Sequence, residues 1–184
     1  SLIQRHRGRV VDAPGDNLLA EFSSAVNAVT GAVEIQRELA ERNAELPDER
    51  KMHFRIGVNV GDVVEDEDRI YGDGVNIAAR IQAAADSNSV FVSQTLFDQV
   101  KRQSSYRFKD LGLYSLKNIS EQIRIYKVIG GMSPHRFLIK PSKKHVTSKG
   151  IRATSIAVLP FEVTGGNEDQ QYFADGLTED IIVE

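Results

Sequence analysis

An α+β fold with a largely antiparallel sheet is what this sequence predicts, and three observations predict it. Two extended-looking apolar runs, Arg9–Val11 and Asn17–Phe22, flank a segment rich in turn chemistry, Asp12-Ala13-Pro14-Gly15-Asp16. Apolar residues then recur at helical spacing from Val26 to Leu39 and again from Val75 to Ala85. Between these helices Phe54, Ile56, Val58 and Val60 alternate as in a strand with one buried face. Hairpins separated by amphipathic helices suit an antiparallel sheet with helices packed on it.

Taken in order, Leu2-Ile3 reads as the end of a helix, and we expect the chain to be incomplete at its N-terminus. The runs around residues 12–16 form a β-hairpin. Ser23 or Ser24 caps a helix reaching about Asn43, with Pro47 beyond its end. A strand over Met52–Val60 is expected to turn at Gly61-Asp62 and resume at Val63–Val64, giving a second hairpin. Gly72–Asp86 is helical, Val90–Val92 a short strand and Thr95–Arg102 a short helix. Phe108, Leu111, Leu113 and Leu116 lead into a last strand, Ile123–Val128.

A change of composition marks a boundary. Residues Gly130–Gly150 are rich in Gly, Pro, Ser and Lys, which is linker chemistry. Beyond it Ser155–Phe161 has a buried-strand pattern, and Gln170–Val183 reads as the start of a helix. The domains are accordingly 1–129, a linker at 130–152, and the opening of a second unit at 153–184, which is too short to bury a core alone.

The bulk numbers narrow the function. Of 184 residues, 41% are hydrophobic and 27% charged, enough apolar surface for a real core. A net charge of -3 offers no basic surface for nucleic acid or anionic lipid, so neither is expected as a partner. The absence of cysteine excludes disulfides and thiolate zinc sites, and the four His show no metal-ligand spacing. No apolar run approaches the ~20 residues needed to span a bilayer, so no membrane contact by these residues is expected.

Two groups of residues carry chemistry. Asp16, beside Gly15 at a hairpin tip, is placed to hold a divalent cation while glycine lets a phosphate approach the backbone; a plain turn aspartate is the simpler alternative. In YGDGVNIAAR, Asn76 and Arg80 stand four apart on a helix and project from one face, while Val75, Ile77 and Ile81 turn to the core. The guanidinium fork suits phosphate oxygens, although such a pair on a solvated helix face is also commonplace.

From Gly8 to Val128 the ordered motifs GRVVDAPGDNLLAEF, FRIGVNVGDV, IYGDGVNIAARI and DLG…LKNI…IYKV resemble the class III adenylate/guanylate cyclase catalytic domain, over about two-thirds of the chain. The resemblance implies a ferredoxin-like cyclase domain, here lacking its first strand, that converts a nucleoside triphosphate to a 3′,5′-cyclic nucleotide and pyrophosphate. It implies two Mg²⁺ or Mn²⁺ ions held by two aspartates, of which Asp16 is one and the other has no counterpart in this sequence. Asn76 would orient the ribose, Arg80 would stabilise charge on the transferring phosphorus, and Lys117 would meet the terminal phosphates unless it is simply an exposed lysine. Sites form between two catalytic domains in this family, so a head-to-tail homodimer in the cytoplasm is implied, and this chain alone is expected to be inactive.

Two positions depart from the family pattern. Where adenine-selective members carry a Lys and an Asp or Thr, this sequence has Asp12 and Arg69, which reverses the donor and acceptor pattern offered to a purine. Either base recognition is rewritten, with ATP the first expectation and GTP the second, or the two residues pair and fill the pocket of a degenerate domain used for dimerisation or nucleotide sensing. The segment SIAVLPFE…QQYFADGLTEDI resembles the opening of a TolB-like module. A vacant central strand position would leave backbone groups unpaired, and Ser155–Phe161, from this chain or a partner, is a candidate to fill it.

Overall fold

The computed structural model describes residues 1–13, 17–66, 69–131 and 152–163. In chain order these form α1 (Leu2–Arg5), β1 (Gly8–Asp12), β2 (Asn17–Phe22), α2 (Ala25–Asn43), β3 (Met52–Asp66), β4 (Arg69–Tyr71), α3 (Asp73–Ala83), β5 (Ser89–Ser93), α4 (Gln94–Val100), β6 (Tyr106–Tyr114), β7 (Ile123–Gly131) and β8 (Arg152–Val163), with a 3-10 turn at Asp48–Arg50. Eight strands make one sheet in the order β1-β2-β8-β3-β5-β7-β6, with β4 paired to β3. Every pairing is antiparallel except β3 with β5.

The alternation of β3 divides the molecule into layers. Phe54, Ile56 and Val58 are buried in one cluster with Ile3 of α1, with Ala28, Val29, Ala32, Ile35 and Leu39 of α2, and with Leu96 and Val100 of α4. The spacing of the α2 set is that of one helical stripe, and each fully buried large side chain contributes about 1.5–3 kcal/mol. The intervening β3 residues face α3 on the other side of the sheet. The end of α2 is tied to the start of β3 by Asn43, whose Nδ2 donates to the Met52 carbonyl at 2.6 Å while its Oδ1 accepts from the Met52 N–H at 3.0 Å. Ser24 stands at the N-cap position of α2 but makes no side-chain capping bond, whereas Ser93 caps α4 by accepting from the Leu96 N–H at 3.3 Å.

Three expectations require correction or extension. Gly61-Asp62 is not a turn: β3 runs unbroken to Asp66 and forms its hairpin with β4, pairing Val64 with Tyr71 and Asp66 with Arg69. Glycine is required at 61 because a Cβ there would lie 2.7 Å from the Gly74 Cα, so close approach and not chain reversal explains the residue. The stretch ahead of the Ile123 strand is itself a strand, β6, whose bulges at Tyr106/Arg107 and Asp110/Gly112 break the period-2 pattern. Finally, the strand expected at Ser155–Phe161 is present and longer than expected, as β8 over Arg152–Val163.

β8 lies between β2 and β3, antiparallel to both, with Phe22 opposite Ser155 and Val60 opposite Ser155 from the other side. The central position is therefore filled by Ser155–Phe161 from the same chain. The ladder with β3 skips from Phe54–Phe161 to Gly57–Val158, leaving Leu159 and Pro160 without partners there; Pro160 has no N–H to offer the ladder. Residues 153–163, read from sequence as the opening of a second unit, thus pair within the first sheet. The helix expected at Gln170–Val183 and most of the linker lie outside the described residues.

Candidate active site

Helix α3 organises the site. It enters through Gly72, whose φ of 140° is a conformation glycine adopts freely and whose Cβ, if present, would meet the Asp62 carbonyl at 2.9 Å. Asn76 is exposed and Arg80 half-buried, one turn apart on the same face, while Ala78, Ile81 and Gln82 are buried against the sheet. Both predicted residues therefore present to solvent from one rigid element.

The other candidates gather on the flanks of this helix. On one side Val11 and Leu19 of the first hairpin pack with Val63, Ile70, Val75, Ala78 and Ala79. Asp12 follows Val11, is exposed, and accepts the Ala13 N–H at 2.9 Å on its Oδ1. Arg69 precedes Ile70, and β1 lies against β4, so the backbones of Asp12 and Arg69 are brought to one corner. On the other side Leu116 packs with Ile77 and Ile81, and the exposed Lys117 follows it in a turn closed by the Ile119 N–H donating to the Leu116 carbonyl at 3.1 Å. Asp16 lies outside the described residues.

Chemically, Asn76, Arg80 and Lys117 offer amide, guanidinium and ammonium donors, which suit an anionic, oxygen-rich ligand. The Gly112 N–H and Arg124 hold the Asp110 carboxyl below the usual range, Lys51 does so for Asp48, Lys101 and Gln94 for Asp98, and burial pushes the Tyr106 hydroxyl up. A pocket of about 390 Å³ lined by Ser23, Ser24, Val60, Gln99 and Gln103 sits at the start of α2 and shares none of the candidate residues.

The described residues do not by themselves assemble a divalent-metal centre, and Asp16, the metal candidate, lies outside them. Among the described residues no group of three His, Cys, Asp or Glu side chains converges. Asp16 alone does not make a two-ion site.

The match to known families settles the kinship of this arrangement. Residues 1–130 match the family model described as the adenylate and guanylate cyclase catalytic domain. The chain belongs to that family. Over its whole length it is 38% identical to a Rhizobium meliloti (strain 1021) protein provisionally named adenylate cyclase 3, of which it spans 31%. Among solved structures it resembles an adenylate/guanylate cyclase/hydrolase from Silicibacter pomeroyi, with 35% identity, a TM-score of 0.66, and coverage of 70% of this chain and 76% of that one. The fold is shared as well by the guanylate cyclase domain of RhGC from Catenaria anguillulae in complex with GTP, at 20% identity and a TM-score of 0.56, covering 71% of this chain and 76% of that one.

One set of residues in this cyclase domain escaped the sequence reading. Gly57, Asn59 and Gly61 alternate along β3 on the face beneath α3, and Asn59, only 3% exposed, donates from its Nδ2 to the Gly74 carbonyl at 3.1 Å. The signal was present as G-x-N-x-G at strand spacing, but a Gly-Asp pair at its end read more readily as a turn.

Proposed function

We propose that the protein containing this chain is a nucleotidyl cyclase that converts a nucleoside triphosphate, ATP first and GTP second, to a 3′,5′-cyclic nucleotide and pyrophosphate for intracellular signalling. The ribose 3′-oxygen forms a bond to the α-phosphorus as the bond from that phosphorus to the β-phosphate bridging oxygen breaks, expelling pyrophosphate in line. Asn76 orients the ribose, Arg80 stabilises charge gathering on the α-phosphoryl oxygens, and Lys117 contacts the terminal phosphates. Asp12 and Arg69 face the purine. Mg²⁺ or Mn²⁺ is the cofactor this family membership favours, and Asp16 would be one of its ligands.

The observation that carries the reading is the projection of Asn76 and Arg80 from one face of α3, flanked by Lys117, inside a domain matched over residues 1–130. A head-to-tail homodimer completes two sites, with α3 of one copy facing the metal aspartate of the other. It is supported by the exposed apolar pair on the β3–β4 hairpin, Val64 at 61% and Tyr71 at 49%, a surface suited to a subunit contact. A nucleoside triphosphate substrate favours a cytoplasmic location. Residues 1–129 form the cyclase domain, 130–152 connect it onward, and 153–184 resemble the opening of a TolB-like module whose first strand, β8, is taken into the cyclase sheet.

A second reading, a degenerate cyclase domain used for dimerisation or nucleotide sensing, is favoured by Asp12 and Arg69 at the base corner. Turnover of ATP and GTP by the full-length protein with Mn²⁺ decides between them. Product from either nucleotide supports the enzyme; none from both, with metal-dependent binding of a non-hydrolysable triphosphate retained, establishes the sensor.

A further inference from the structure

We infer that Asn59 is a positioning residue for cyclisation, acting through the depth and rotation of α3; this rests on the reading of Asn76 and Arg80 as the groups that meet the substrate. Three alternate residues of β3 form the seat of that helix. At its far end a Cβ on Gly57 would lie 2.4 Å from both the Ala78 carbonyl oxygen and the Gln82 nitrogen, and at its near end one on Gly61 would lie 2.7 Å from the Gly74 Cα. Strand and helix thus touch backbone to backbone at both ends. Between the two glycines stands the one polar side chain of the seat, Asn59, with its amide donating to the carbonyl of Gly74 in the first turn.

That bond has a geometric consequence. Contacts between bare backbones resist approach but leave a helix free to roll or slide, because they have no directional preference. A hydrogen bond weakens steeply when misaligned, so the Asn59–Gly74 bond fixes the remaining freedom. A carbonyl with two lone pairs serves its helical partner and Asn59 together. Asn76 lies two residues beyond Gly74 and Arg80 six, so a shift at Gly74 is carried directly to both. A misplacement of about 1 Å at reacting groups is sufficient to cost ~10²-fold in rate.

The test uses the full-length protein and four variants. Asn59→Ala and the isosteric Asn59→Asp, which removes the amide donor, are expected to lower kcat about 10- to 100-fold with KM changed less than threefold. Val58→Ala, one residue away on the opposite, α2 face of the same strand, is expected to lower the unfolding midpoint comparably while leaving kcat per folded molecule unchanged. Backbone amide exchange at residues 74–80 should accelerate in the Asn59 variants and not in Val58→Ala. Unchanged kcat in both Asn59 variants, or an equal loss in Val58→Ala, overturns the inference. Should Asn59→Ala fail to fold, Asn59→Asp alone decides it. Arg80→Ala separates the two levels: if it retains full activity, the active-site reading fails whatever Asn59 does, whereas loss in Arg80→Ala with no effect at Asn59 refutes the positioning role alone.

Discussion

The two faces of β3 pack by opposite means. Toward α2 and α4 the strand presents Phe54, Ile56 and Val58, each fully buried, and the separation of the layers is filled by side chains. Toward α3 it presents Gly57, Asn59 and Gly61, and the helix comes down onto the strand backbone. The first face supplies stability, since burial scales with apolar area and adapts to modest changes of shape. The second contributes little area but determines where Asn76 and Arg80 stand. Substitutions on the two faces should therefore fail in different assays.

The sharpest break in this comparison is Gly57→Ala. Its new methyl meets backbone atoms that cannot rotate away, so α3 must lift, and we expect cyclase activity to fall at least ~10²-fold with a stability loss of about 1–3 kcal/mol. A steady-state assay beside a thermal melt reads both. On the opposite face Phe54→Ala should cost about 3–5 kcal/mol in chemical denaturation while activity per folded molecule persists. Ile56→Val should follow the same division at about 0.5–1.5 kcal/mol. Loss of kcat at either position without loss of stability would erase the distinction between the faces.

The smallest expected effect lies far from both. Asp110 accepts the Gly112 N–H at 2.8 Å and pairs with Arg124, and its carboxyl is held below the usual range. A depressed folded pKa stabilises above the ordinary aspartate value near ~3.9 and is lost as pH falls through the folded value. Asp110→Asn should therefore flatten slightly the decline of the melting midpoint below about pH 4 and leave activity at neutral pH unchanged.

Most of the fold was legible because its signals are local. The stripe of α2, the alternation of β3 and the hairpin β1–β2 each announce themselves within a dozen residues, and the pairing of Asn76 with Arg80 needs only the helical repeat. What escaped is non-local or ambiguous. Gly61 has the same identity whether it turns a chain or admits a helix, and only the approach of Gly74 reveals which. β6 was hidden by bulges that shift Phe108, Leu111 and Leu113 out of strict alternation. β8 was foreseen from the cost of unpaired strand edges, an argument about the whole sheet, whereas its sequence alone suggested a separate unit. Asp12 and Arg69 were visible as a charge reversal, and the meeting of β1 with β4 gives that reversal a location beside the helix.

The central claim is that α3 presents the groups that act on the triphosphate. The most direct measurement is cyclic nucleotide formation from ATP and GTP, with Mn²⁺, by the full-length protein and its Arg80→Ala variant at matched folded concentration. Product is expected from at least one nucleotide, with a loss of ~10²–10³-fold in kcat on removing the guanidinium and an unchanged melting midpoint. An active parent whose turnover is indifferent to Arg80→Ala would contradict the claim.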